Sequence, residues 1–192
     1  MNYKYATNTE EPHLGGNILQ GDAWTHCPNV WNYVIDRFAV KSVLDLGCGL
    51  GYSSLYFKRK GLDVLAVDGM LDNVKNSIYP SLLCDLTKGP VTTKVDLVHC
   101  HEVVEHIEEQ YLDNLLTSLS CGKFILMTNA LPGQGGYHHV NEQPTEYWIE
   151  HLKNHGYDFL EEDSMRVRRI AEHNDGAVWM SKTGSIFSNR NF

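Results

Sequence analysis

The chain is predicted to adopt an α/β fold, a single open and largely parallel sheet with helices on both faces. Three observations carry this. Short apolar runs alternate with stretches of helical periodicity, a pattern that builds parallel strands joined by crossover helices. A glycine-rich turn, "LGCGLG" at 46–51, lies directly between a strand and a helix. The C-terminal part offers two strand signals with no helix signal between them, which places an antiparallel pair at one edge of the sheet.

The elements follow in order. Residues 1–27 read as an irregular lead-in with turn signals at Gly15-Gly16-Asn17 and Gly21-Asp22. "PNVWNYVIDRFAV" is helical: Pro28 suits a first turn, and Val30, Tyr33, Val34, Arg37 and Phe38 recur at helix spacing. "SVLDLG" (42–47) is a short apolar strand, followed by the glycine turn and a helix, "YSSLYFKRKG", closed by Gly61. "LDVLAVDG" (62–69) is the next strand, with a helix over 71–77 and a third strand region at "LLCDL". "VDLVHC" (95–100) is a strand, "EEQYLDNLLTSLS" a helix and "KFILMTNA" (123–130) a strand. A helix begins near "QPTEYWIEHLKNHG" and ends at Gly156; "YDFLEED" and "AVWMSKTGSIFSN" read as terminal strands.

At 192 residues this is one domain, long enough to bury a core without staples. Five cysteines without a CxxC pair fit buried thiols in a reducing compartment better than a disulfide framework. No apolar run approaches the roughly 20 residues that span a bilayer. The polar start "MNYKYATNTEEPHLGG" lacks an apolar signal segment, so the expected location is cytoplasmic, with no membrane partner. The net charge of −8 opposes a broad nucleic-acid surface. The short basic clusters "KRK" (58–60) and "RVRR" (166–169) read as a helix end and a solvated edge.

Glycines at 47, 49 and 51 let the backbone bend tightly and approach a ligand where a Cβ would collide. Asp45, just before them, repels a pyrophosphate and favours a cationic ligand carrying an amino group. Asp68 ends the next strand, placed to accept from both hydroxyls of a ribose. Asp85 is placed to accept from an adenine amino group, with Leu86 flanking the ring. In an open α/β sheet these positions lie at the carboxyl ends of strands, where ligands bind.

The ordered string "VLDLGCGLGYSS…VLAVDG…CDL…VDLVHCHEVVEH" resembles the class I S-adenosylmethionine-dependent methyltransferases, from about residue 28 to the end. The resemblance implies a Rossmann-like open sheet of seven strands, mostly parallel, with the last strand inserted antiparallel. It divides the chain into a lead-in and candidate lid (1–27) and a methyltransferase domain (28–192). It implies S-adenosylmethionine as cofactor, with contacts at Asp45, Gly47, Gly49, Asp68 and Asp85, and with Cys48, Gly69, Cys84 and Leu86 beside them. His13 and the "GGN" turn are candidate lid residues.

The acceptor side turns on "CHEVVEHIEE" (100–109). On a helix, Glu102, Glu105 and His106 share a face. After the fifth strand, "NALPGQGGYHHVNEQPTEYW" delivers His138 and His139 to the same edge of the sheet. This pairing resembles the metal-dependent RNA 3′-terminal 2′-O-methyltransferases, and implies a Mg or Mn site at Glu102, Glu105, His106 and His139, with His138 as second choice. Glu109 stands where that family's motif carries another histidine. "EVxEH" also resembles the small-molecule O-methyltransferases of ubiquinone biosynthesis, and "PGQGGYHHVNEQPTEYWIE" resembles small methyltransferases of glycan modification. In those, His106 or His139, with Glu102, would act on the substrate without a metal. Without a cation the same acidic residues read as a helix start complementing its dipole.

Asn129, Gln134, Asn141 and Gln143 supply amides suited to a sugar. Trp24, Trp31 and Tyr137 are candidate pocket walls, although helix spacing favours core positions for Trp31 and Trp148. His151, His155 and His173 read as surface or cap residues. The expected function is methyl transfer to a hydroxyl of a small polar molecule, such as a sugar. The alternatives are a 2′-hydroxyl at an RNA terminus, or a cofactor-binding partner subunit without catalysis.

Overall fold

The computed structural model describes Thr7, Asn8 and residues 10–16 and 20–192. Asn17 of the predicted turn lies outside them. Seven strands, β1 (Ser42–Leu46), β2 (Asp63–Asp68), β3 (Ser81–Leu83), β4 (Val95–Cys100), β5 (Gly122–Met127), β6 (Tyr157–Phe159) and β7 (Ser185–Asn189), form one sheet. Its order is β3-β2-β1-β4-β5-β7-β6. β7 runs antiparallel to both β5 and β6, and the other pairings are parallel. The expected seven-stranded sheet is borne out.

Successive strand residues feed opposite faces, as a pleat requires. Leu44, Val98 and Ile125 point into one core with Leu115, Leu116 and Trp148, from α4 (Leu112–Leu119) and α5 (Thr145–Asn154). Val43, Leu97 and Leu126 point into the other, against Val30, Trp31 and Val34 of α1 (Pro28–Phe38) and Phe57 of α2 (Tyr52–Arg59). Each fully buried large side chain contributes about 1.5–3 kcal/mol. Trp31 and Trp148 are core residues, as their spacing implied. The short α3 (Leu71–Asn76) links β2 to β3.

Two segments differ from the expected elements. The expected terminal strands are strands only at 157–159 and 185–189: α6 (Glu161–Ile170) takes the end of the first, α7 (Val178–Thr183) takes the start of the second, and a π-helical turn, Ala171–Asp175, lies between the helices. The inward side of α6 is Asp163, Ser164 and Val167, so its apolar period is nearly silent. Buried Asp163 accepts from Tyr33 Oη and from Arg37 Nε at 3.0 Å. "RVRR" is the last turn of that helix, and Arg168 donates to Gly184 O at 2.8 Å. The second segment is "EVVEH", which is not an α-helix. Glu102 takes φ +54° and only Val104–His106 coils, as a 3-10 turn. The α-helical segment starts at Leu112. Among the described residues no helix is long and apolar enough to cross a membrane.

Candidate active site

The strand order reverses between β1 and β4, and at the carboxyl ends of these strands opens a cavity of about 680 Å³. That is where open α/β sheets bind ligands. Gly47, Gly49 and Gly51 have φ of +74°, +54° and +78°, the left-handed region open to glycine. A Cβ on Gly47 would overlap Val103, whereas one on Gly49 would meet no protein atom within 4 Å. Gly49 thus presents bare backbone to the cavity, and its N–H donates to Asp68 Oδ2 at 2.8 Å. Asp68 also accepts from Met70 N at 2.8 Å and Asn73 Nδ2 at 3.0 Å. Burial nevertheless pushes its carboxyl above the ordinary value.

Cys48, Gly69, Cys84 and Leu86 line the same cavity. Asp85 Oδ1 accepts from Thr87 N at 2.9 Å and Thr87 Oγ1 at 2.8 Å, and lies 3.1 Å from His13 Nε2. Burial opposes the charge on Asp85, but these bonds and Lys88 hold its carboxyl below the ordinary value. The lead-in crosses the cavity: His13 meets Asp85, Leu14 approaches Gly69, and Gly16 packs on His106.

Asp45 is fully engaged by the protein. Its Oδ2 accepts from Ser53 Oγ at 2.6 Å and from Ser54 Oγ, and its Oδ1 lies 2.7 Å from His99 Nδ1. Trp31 Nε1 donates to His99 Nε2 at 3.2 Å. An indole N–H only donates, so His99 carries its proton on Nδ1 and donates to Asp45. Burial opposes the charge on Asp45, while His99 and the two serines bring the carboxyl below its ordinary value.

Three groups form the acceptor side. His101, one residue past β4, lines the cavity with both ring nitrogens buried and without a hydrogen-bond partner. Burial, with His99 nearby, lowers its imidazole to about 3. Glu102 Oε1 accepts from Thr128 Oγ1 at 2.8 Å and Oε2 from Gln134 Nε2 at 3.0 Å. Glu105, His106 and His139 form a third group, with one ligand atom of each within 4.8 Å of the others. Both oxygens of the fully buried Glu105 lack a partner. Burial and the neighbouring Glu102 carboxylate push Glu105 well above the ordinary value. Burial and His139 lower His106 to about 4. Gly136 leaves room for the His139 ring, whose Nδ1 is 3.1 Å from Glu142 Oε1.

Of the four residues of the expected metal set, Glu105, His106 and His139 gather in this cluster, while the Glu102 carboxyl lies beside Glu105 and is held by Thr128 and Gln134. His138 lies outside the cluster, with Nε2 3.9 Å from Glu108. The amide set also divides. Asn129 donates to Gln143 O, Asn141 to Ile107 O, and Gln143 to Asn141 Oδ1; of the four, Gln134 reaches the cavity. Trp24 and Tyr137 line the cavity with Trp31, and Tyr137 Oη donates to Asn8 O at 2.8 Å. His99, His101 and Trp179 were not anticipated. The signal for the first two was "HCH": residues two apart share a strand face.

A family model described as a methyltransferase domain matches residues 24–168. The chain belongs to this methyltransferase family. The relative named ubiquinone biosynthesis O-methyltransferase, mitochondrial, of Schizosaccharomyces pombe is 31% identical over 106 residues, 47% of this methyltransferase and 39% of that protein. This chain thus spans well under half of that relative's length. Among solved structures, the methyltransferase domain of bacterial CtHen1-C superposes with a TM-score of 0.61 at 15% identity, over 88% of this chain and 99% of that one. Magnesium protoporphyrin IX methyltransferase from Synechocystis PCC 6803, solved with bound SAM, gives 0.54 at 20% identity, over 68% and 66%. At such identities these likenesses show the class I methyltransferase fold alone.

Proposed function

We propose that this chain transfers the methyl group of S-adenosylmethionine to a hydroxyl oxygen of a small molecule. The observation that carries the reading is the cavity at the β1–β4 switch point, with the glycine turn and carboxylates on one side and three histidines on the other. Gly49 offers open backbone, and Asp68 and Asp85 stand at or just past strand ends; this donor set fits a nucleoside and a cationic amino acid. Asp45 lines the cavity as well, and fixes β1 and α2 through Ser53, Ser54 and His99.

In the reaction a C–O bond forms as the C–S bond breaks. The electron pair goes to sulfur, leaving S-adenosylhomocysteine, and the hydroxyl proton leaves to a ring nitrogen or water. The chain's main task is to hold the oxygen in line with the methyl. A sugar is less favoured than the sequence implied, because Asn129, Asn141 and Gln143 bond within the protein. The net charge of −8 disfavours an RNA terminus.

Incubating the protein with S-adenosylmethionine and catechol, methyl glucoside or a short oligoribonucleotide tests this. Formation of S-adenosylhomocysteine with a small hydroxyl compound supports it and removes the non-catalytic alternative. Turnover with the oligoribonucleotide alone moves the acceptor to RNA.

A second reading is favoured by one observation, the unpartnered Glu105 carboxyl beside His106 and His139. Two imidazoles and a carboxylate suit a divalent ion such as Mn²⁺ or Mg²⁺. Such an ion, when bound, lowers the pKa of a hydroxyl on it.

A further inference from the structure

We infer that His101 receives the nucleophilic hydroxyl of the methyl acceptor, separately from the His106–His139 pair; this rests on the methyltransferase reading above. Register places the ring. Asp45 pairs with His99 across β1 and β4, so two residues further Gly47 and His101 flank the crevice at the switch point. His101 therefore stands beside the glycine turn, where the methyl donor is expected.

Elimination then leaves the ring one outlet. Both nitrogens are buried without a partner, and buried polar groups are normally hydrogen-bonded. The neighbouring His99 ring, with centroids 5.9 Å apart, cannot help, because its nitrogens are taken by Asp45 and Trp31. Glu102, next in the chain, is turned to Thr128 and Gln134. The partner of His101 has to come from the cavity that the ring lines.

The chemistry of that partner follows from the imidazole, which offers one lone pair and one N–H. A hydroxyl donates to the lone pair and keeps its own lone pairs for the methyl carbon. A carboxylate has no proton to give, and an ammonium has no lone pair with which to attack. With no carboxylate behind it, His101 serves first to aim the oxygen. As the C–O bond forms and the C–S bond breaks, the hydroxyl proton passes to the ring nitrogen it faces, then to water. His106 and His139 differ in setting, grouped with Glu105 and, for His139, held by Glu142.

The test uses the full chain saturated with S-adenosylhomocysteine. Ring ¹⁵N resonances of His101, assigned with His101→Asn, are followed while phenol, catechol or methyl glucoside is added. The expected result is a shift of the His101 ring by at least one probe. Affinity for that probe should fall tenfold or more in His101→Phe, measured with S-adenosylhomocysteine saturating both proteins. His101→Asn, which keeps an acceptor oxygen, should retain part of the affinity and carries the comparison if the Phe variant does not fold. Shifts confined to His106 and His139, no response to any probe, or unchanged affinity in the variants would overturn the inference while leaving the methyltransferase reading intact. Failure of the wild-type chain to bind S-adenosylhomocysteine would instead overturn both.

Discussion

Asp45 and His99 face each other across the β1–β4 pair, Oδ1 to Nδ1 at 2.7 Å, both almost wholly buried beneath the cavity. Trp31 completes the row by donating to the other His99 nitrogen. Trp31→Phe leaves that nitrogen buried and unpaired, at an expected cost of about 1–3 kcal/mol in urea denaturation. A cost near zero would mean that the indole bond contributes nothing.

Acid sensitivity follows from the same carboxylate. The folded Asp45 carboxyl lies below its ordinary value of 3.8, so near that pH the unfolded chain binds the proton more readily than the folded one. Its contribution is complete above the ordinary value and is lost as pH falls through the folded one. Asp45→Asn should lower stability at neutral pH and flatten the decline in acid. Parallel pH profiles for variant and wild type would contradict this.

The glycine turn separates fold from ligand binding. Gly47→Ala places a Cβ against Val103 at φ +74°, so it should destabilise the protein by about 1–3 kcal/mol. Gly49→Ala meets no protein atom, so it should cost about 1–2 kcal/mol of backbone strain yet weaken S-adenosylhomocysteine binding tenfold or more. Thermal melts and calorimetry on the pair check this; equal binding losses would remove the distinction.

The Glu105 cluster makes a further prediction. Mn²⁺ at about a hundredfold over its Kd should raise stability by about 2.7 kcal/mol. The gain should vanish in Glu105→Gln and persist in Glu102→Gln, because the Glu102 carboxyl is held by Thr128 and Gln134. Equal responses from the two variants would exclude the three-residue site.

A stability prediction concerns Asp175, whose carboxylate caps α1 from the distant π-helical turn, accepting from Asn29 N and Val30 N at 3.1 Å each. Pro28 has no N–H, so these are the first free donors of the helix. Asp175→Ala should cost about 0.5–2 kcal/mol and speed amide exchange at both residues.

Much of the sheet was legible because each early strand is a short apolar run ending at a turn, as "SVLDLG" and "LAVDG" are. α6 was hidden because its buried side carries Asp163 and Ser164, satisfied by partners elsewhere in the chain. The "EVVEH" coil was misread because Glu102 follows Thr128, 26 residues away, into a left-handed conformation. In the site, glycine and carboxylate positions were readable from strand ends. The Asp45–His99–Trp31 row was not, since its contacts span 54 and 68 residues. Nor does a sequence reveal that Asn129 and Asn141 bond inward.

The most direct measurement is isothermal titration of S-adenosylhomocysteine into the wild-type chain. The account predicts one site per chain, weakened tenfold or more by Gly49→Ala in a protein that still melts cooperatively. A folded wild-type chain that gives no binding heat, and no protection from thermal unfolding at millimolar ligand, would contradict it.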